Sequence, residues 1–240
     1  MKYGIISDVH ANVIALKIVL KKIEELNVDK IICCGDLIGI GPEPESVVQE
    51  LIKLGDKLIC VSGNHEGYLI EGFPEKVHDD KRTFCDSEIK SHLWQHEQLS
   101  KSSKEFLKKL RQVECIEDDK LKICVMHYPK DCEGKYMQHL KNPTFEECEK
   151  LFCGYDADIF LYGHTHQKNI VSDKQKMYIN PGSLGCPAGT MFAYSGILEI
   201  DKNKPNYISI DLQYDVLAVT KEIKKKNYSM CDKIIECFFE

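Results

Sequence analysis

Short apolar runs recur along the chain, each bounded by turn residues. Lys2 to Ile6, Asp29 to Cys34, Lys57 to Ser62, Leu121 to His127 and Asp158 to Tyr162 all read as buried strands. Helical periodicity fills the gaps. From Val13 to about Leu26 the pattern sets Leu16, Val19, Leu20 and Ile23 on one face, with Asn12 placed to cap it. A Gly39-Ile40-Gly41-Pro42 loop leads into a helix from about Glu45 to Leu54, and another helix is expected near Thr144–Phe152. Strands alternating with helices predict an α/β fold with parallel strands.

The rhythm breaks after Gly67. This polar stretch holds two helical segments, near Asp86–Gln95 and Ser102–Leu110, and reads as a cap-like insertion at about 67–112 in one domain spanning 1–240. From Gln167 to Leu212 the pattern is β: Asn169–Ser172, Lys176–Ile179, Phe192–Ile200 and Tyr207–Leu212. The lysine-rich stretch from Asp215 is expected to be helical.

Composition narrows the function. The 240 residues carry 38 acidic against 32 basic side chains, a net charge of −6, with Arg82 and Arg111 the only arginines. That balance argues against a dedicated nucleic-acid binder, which needs a basic face. No apolar run approaches the length of a membrane span. The opening Met1-Lys2-Tyr3-Gly4-Ile5-Ile6-Ser7-Asp8 reaches a carboxylate too early for a signal-peptide core, so a cytoplasmic address is expected. The twelve cysteines include adjacent Cys33 and Cys34 and several within apolar runs, such as Cys60 and Cys124, with no Cys-x-x-Cys. They read as small buried apolar residues in a reducing compartment, not as a disulfide scaffold or zinc site.

Candidate chemistry gathers just after strands. Asp8-Val9-His10, Gly35-Asp36, Gly63-Asn64-His65-Glu66, Met126-His127 and Gly163-His164-Thr165-His166 all occupy that position. The carboxyl ends of strands in an α/β sheet form the ligand crevice. Asp, Asn and His are oxygen and imidazole donors suited to Zn, Mn or Fe. In an extended segment i and i+2 share a side, so Asp8 can converge with His10, and His164 with His166. The preceding glycines allow sharp turns at Asp36, Asn64 and His164. Turn or capping roles account for single aspartates and asparagines, but not for five such segments in order.

This ordered set resembles the calcineurin-like metallophosphoesterase superfamily. The resemblance runs from residue 8 to residue 166, and Asn180-Pro181-Gly182-Ser183 is also similar. The Ser7–Asn12 opening and the Gly39–Pro44 loop look most like the small prokaryotic phosphodiesterase and diadenosine-tetraphosphatase-like branch, although Ala11 stands where glycine is common. The resemblance implies a two-sheet sandwich flanked by helices, with two divalent metal ions, Mn first and Fe, Zn or Ni as alternatives. Asp8, His10, Asp36 and His166 would hold one, and Asp36, Asn64, His127 and His164 the other. An acidified water between the ions would attack phosphorus, and the site would keep about one positive charge for a phosphate. His65 would protonate the leaving oxygen, with Glu66 orienting it.

The expected substrate is a small phosphodiester or nucleotide phosphate. Protein phosphatases of the superfamily carry arginines in Gly-Asp-x-x-Asp-Arg-Gly and before Gly-Asn-His-Glu. Here Gly35–Gly41 contains none and Ser62 precedes the second motif, which disfavours a phosphomonoester dianion. A scaffold role, as in a retromer subunit, is disfavoured because every ligand position is filled. Among the other histidines, His92 and His96 are read as a solvated helix face, and His78 and His139 receive no role. Trp94 is read as a packing residue.

Overall fold

The computed structural model describes residues 1–77 and 82–240, so His78 lies outside the described residues. Ten strands form two five-stranded sheets, with eight α-helices among the described residues. The first sheet holds β1 (Lys2–Ile6), β2 (Lys30–Cys33), β3 (Leu58–Cys60), β9 (Phe192–Asp201) and β10 (Lys204–Gln213), in the order β10-β9-β1-β2-β3. The second holds β4 (Val113–Asp118), β5 (Leu121–Met126), β6 (Ile159–Leu161), β7 (Lys168–Ser172) and β8 (Met177–Pro181), in the order β4-β5-β6-β8-β7. Both sheets are mixed. β1, β2 and β3 run parallel, as do β5, β6 and β8. The remaining pairings are antiparallel: β4–β5, β7–β8 and β9–β10 are hairpins, and β9 returns to flank β1, so the expected parallel order covers three strands of each sheet.

Strand alternation builds the layers. Tyr3 and Ile5 of β1 pack between the sheets with Ile32, Val125, Ile159, Leu161 and Ile179. Ile6 faces outward into the core formed with α1 (Val13–Glu25) and α2 (Pro44–Ile52). Cys124, Met126 and Phe160 face outward on the second sheet, against Cys148, Leu151 and Phe152 around α6 (Phe145–Leu151). Both faces of the central strands are therefore covered, which is why β1, β2, β5 and β6 read as near-continuous hydrophobic runs. The result is the two-sheet sandwich flanked by helices.

Three features escape the sequence pattern. The Gly63–Glu66 segment opens a helix, α3 (Asn64–Ile70). β4, Val-Glu-Cys-Ile-Glu-Asp, is a half-exposed strand at the sheet edge whose glutamates hide its period. The lysine-rich end is two helices, α7 (Val216–Lys226) and α8 (Cys231–Phe238), broken by left-handed Asn227 and Met230. The 67–112 segment carries α4 (Asp86–Gln98) and α5 (Lys101–Lys109).

Candidate metal centre

All seven residues expected as ligands come together. They sit beyond the ends of β1, β2, β3, β5 and β6, within one crevice. Asp8, His10, Asp36 and His127 are almost fully buried, Asn64 is 7% exposed, and His164 and His166 are half-buried.

Two donor sets share one carboxylate. On one side, His10 Nε2 lies 2.9 Å from His166 Nε2 and 3.8 Å from Asp8 Oδ1, and His166 Nε2 lies 3.6 Å from Asp8 Oδ1. On the other, Asn64 Oδ1 lies 3.0 Å from both His127 Nε2 and His164 Nδ1. Asp36 Oδ2 stands between them, 3.8 Å from His10 Nε2 and 3.2 Å from His127 Nε2.

The far sides of the rings fix what faces inward. His127 Nδ1 lies 2.8 Å from the Cys34 carbonyl, and His10 Nδ1 lies 3.2 Å from the Ile38 carbonyl. A carbonyl only accepts, so each Nδ1 carries a proton and each Nε2 faces the centre, offering a lone pair whenever the ring is neutral. The Asn64 amide donates to the Tyr68 hydroxyl at 3.3 Å, which leaves its oxygen inward. Imidazoles, an amide oxygen and carboxylates crowd together, a donor set that fits divalent cations.

The convergence does not come from extended alternation. Asp8, His10, Asp36, His164 and His166 all have positive φ, between 46° and 72°. Left-handed backbone at non-glycine residues is held only where the surroundings over-determine it. Here cross-loop bonds do so: His10 N–H donates to the Asp36 carbonyl at 2.9 Å, and Asp8 N–H to the Gly35 carbonyl at 3.0 Å. The glycines also differ from expectation. Only Gly35 has positive φ, at 96°; Gly63 and Gly163 are there because a Cβ would collide with the Asp36 carboxylate and with Ser7 and Asp8.

Glu66 has another task than orienting His65. The start of α3 turns its carboxylate back onto four backbone N–H groups, those of Gly63 (2.8 Å), Asp36 (3.0 Å), Leu37 (2.9 Å) and Ile38 (3.2 Å). It braces the loop that carries Asp36. Burial, with repulsion from Asp36, pushes its carboxyl up to about 7, against the pull of the Gly63 and Ile38 N–H groups. Burial also opposes ionisation of Asp36, yet His127, His65 and His10 hold it well below the usual carboxylate range. His127 is pushed up to about 9, since Asp36 outweighs the desolvation of its ring.

His65 lies at the edge of the donor cluster. Its N–H donates to Asp36 Oδ1 at 2.9 Å, and its Nε2 is 3.9 Å from Asp36 Oδ2. Its Nδ1 is buried with no hydrogen-bond partner among the described residues. His92 packs against it, ring centres 4.9 Å apart, within a cluster of Tyr68, Phe73 and Phe84. His92 and His96 are therefore half-buried, not a solvated face, because distant aromatic residues cover the helix. His139 lies 5.2 Å from His164, ring to ring. Trp94 is a packing residue, stacked on Tyr228 at 4.2 Å. Asn12 caps α1 by accepting from Ala15 N–H at 3.0 Å, and its amide donates to the Gly185 carbonyl.

Other supports were not anticipated. Ser183 donates to the Asp8 carbonyl at 2.8 Å, and its N–H to the His166 carbonyl at 3.1 Å. Cys186 Sγ lies 3.6 Å from His166 Nδ1. Its signal in the sequence is a cysteine in a Gly-Cys-Pro loop instead of an apolar run. Five cysteines, Cys85, Cys115, Cys132, Cys153 and Cys237, are exposed, so burial describes only part of the set. Two cavities open at the centre: one of about 600 Å³ lined in part by Asn64, the other of about 560 Å³ bordered by His164 and His166.

The geometry agrees with known relatives. A protein of Methanocaldococcus jannaschii, described as uncharacterized, is 30% identical over 250 residues, covering 92% of this chain and 88% of its own length. A phosphodiesterase of the same organism is 23% identical, covering 88% of this chain and 100% of its own. The crystal structure of a metallophosphoesterase from Sphaerobacter thermophilus matches with a TM-score of 0.73 at 23% identity, over 98% of both chains, which establishes the shared fold. No helix among the described residues is long and apolar enough to cross a membrane. The calcineurin-like phosphoesterase superfamily domain matches residues 1–203; the chain belongs to that superfamily, and it is a metal-dependent phosphoric ester hydrolase.

Proposed function

We propose that the protein hydrolyses a small phosphodiester or nucleotide phosphate at a dinuclear centre. Asp8, His10, Asp36 and His166 would hold one divalent ion, and Asp36, Asn64, His127 and His164 the other. The observation that carries this reading is the position of Asp36 Oδ2, between two donor sets that each converge independently. Mn is the first choice of metal, with Fe, Zn or Ni compatible with the same donors. Two such ions, when bound, supply an acidified water and a Lewis-acid clamp on phosphoryl oxygens.

The chain's own residues do the rest. The carbonyls of Cys34 and Ile38 fix the imidazole tautomers, and Glu66 holds the Asp36 loop rigid. His65 stands beside the centre as the acid for the leaving oxygen. Burial favours its neutral form. A phosphate anion brought beside it supplies the negative charge that favours its protonation.

A diester suits the centre better than a monoester dianion. Arg82 donates to Glu88 at 2.8 Å and Arg111 to Glu114 at 3.5 Å, so both guanidinium groups are engaged away from the donor cluster. Two cavities adjoining one centre also leave room for both arms of a diester. The 67–112 segment serves as a cap on a single catalytic unit. Twelve free cysteines support a cytoplasmic site of action.

The test is hydrolysis by chelator-stripped protein reloaded with one metal at a time. Bis-p-nitrophenyl phosphate should be turned over only after reloading, at two ions per chain, and faster than mono-p-nitrophenyl phosphate. Full activity with one ion per chain overturns the dinuclear centre. A preference for the monoester overturns the diester assignment.

A further inference from the structure

The cavity of about 600 Å³ beside Asn64 is formed by residues from 62–77 and 130–136, with Gln112. Its aromatic lining comes from separate stretches of chain. Tyr68 and Phe73 lie 5.7 Å apart, ring to ring, and Tyr136 lies flat on His164 at 5.3 Å. Polar side chains interrupt them, the acidic Glu71, Glu75 and Asp131 alongside Lys76, Lys135, Lys130 and Gln112. The half-buried Lys130 places its amine 4.7 Å over the Tyr136 ring, and Gln112 donates to Glu71 at 3.3 Å. Burial disfavours the charged form of the Lys130 amine, and Glu71 offsets this only in part.

These features select a ligand. The volume lies in the range that encloses a nucleoside-sized molecule. Aromatic walls accept a planar base, and Lys130 and Gln112 offer donors to ring nitrogens, carbonyls and ribose hydroxyls. A hydrocarbon group would desolvate the Lys130 amine further without adding an acceptor, and a methyl ester would leave the cavity unfilled.

We propose that the cavity walled by Tyr68, Phe73, Tyr136, Lys130 and Gln112 seats the nucleoside of a nucleotide diester whose phosphate lies at the Asp36–Asn64 centre. This assignment rests on the phosphodiester reading above.

The experiment compares thymidine 5′-p-nitrophenyl phosphate with methyl p-nitrophenyl phosphate on the metal-loaded protein. The two share a leaving group and differ in the nucleoside. The thymidine ester should show a kcat/KM about tenfold or more higher, roughly the worth of one stacked base. Calorimetry should show thymidine 5′-monophosphate binding more tightly than methyl phosphate by a similar ratio. Phe73→Leu and Lys130→Met, on separate segments, should each cut the preference at least about threefold. Equal kcat/KM for the two diesters, or a preference that survives both substitutions, overturns the nucleoside seat alone. Turnover of neither diester overturns the phosphodiester reading, and the seat falls with it.

Discussion

The strand-end loops and the 67–112 segment meet at His65 and are built by opposite means. The loops are held by backbone. Five of their seven donor residues sit in left-handed conformations, pinned by cross-loop N–H bonds and by the Glu66 carboxylate. The segment is held by side chains. Trp94 stacks on Tyr228, Gln95 donates to the Gly41 carbonyl, and His92 joins Tyr68, Phe73 and Phe84 over His65. Backbone bonding fixes donor atoms to within tenths of an ångström, as metal chemistry demands. Side-chain packing tolerates substitution, as a surface that selects among substrates requires.

Substitutions in the two regions should therefore differ in kind. The largest effect belongs to Asp36→Asn. Loss of one supporting contact to a metal typically costs about 10–100-fold, and a carboxylate shared by two ions compounds it to about 10⁴-fold. Metal analysis should show fewer than two ions per chain, and the loss should exceed that of His127→Ala or His166→Ala. Retained metal with near-normal turnover would break the assignment of Asp36 as the shared ligand.

His65→Ala comes next, lowering turnover about 10²–10⁴-fold with both ions retained. The loss should shrink for p-nitrophenolate, a leaving group that needs little protonation. An equal loss for good and poor leaving groups would make His65 a binding residue instead.

Glu66→Gln should act on stability. Its amide nitrogen would face backbone N–H groups that now meet a carboxylate oxygen, at a cost of about 2–4 kcal/mol in urea unfolding. A neutral result would show that the loop holds its shape without this brace.

The smallest effect lies in the 67–112 segment. Burial opposes ionisation of Glu88, but its bonds with Arg82 and the Cys85 N–H hold the carboxyl down to about 2. A depressed carboxyl stabilises the fold above its unfolded value of 4.5 and loses that contribution as pH falls toward 2. The melting-temperature gap between wild type and Glu88→Gln should thus be present at pH 6 and close towards about pH 2. A gap independent of pH would mean that packing, not charge, is lost.

The same contrast explains what the sequence disclosed. Strands with both faces buried announce themselves as apolar runs, and Gly-His and Gly-Asn-His have no common structural use, so the fold and the donor set were legible. Their geometry was not. Asp8 and His10 converge through left-handed backbone set by neighbouring loops, which no local spacing encodes. Glu66 follows His65 in sequence, but a helix start carries its side chain to the other side. His92 looks solvated until Phe73 and Phe84, outside its helix, cover it. Long-range packing decides all three, and it leaves no periodic trace.

The sheet order has a consequence for synthesis. β1 carries Asp8 at its end, yet one of its two neighbours is β9, which begins at Phe192. The Leu184 and Gly185 N–H groups that hold the Ser7 and Asp8 carbonyls also arrive late. At about 5–20 residues per second Asp8 waits roughly 10–40 s for the second strand partner of β1. Tyr228, which packs on Trp94 and donates to the Ile40 carbonyl, arrives later still. A nascent chain thus lacks the strand partner of β1 and the N–H groups that hold the Ser7 and Asp8 carbonyls until the stretch from Leu184 to Asp201 has been made.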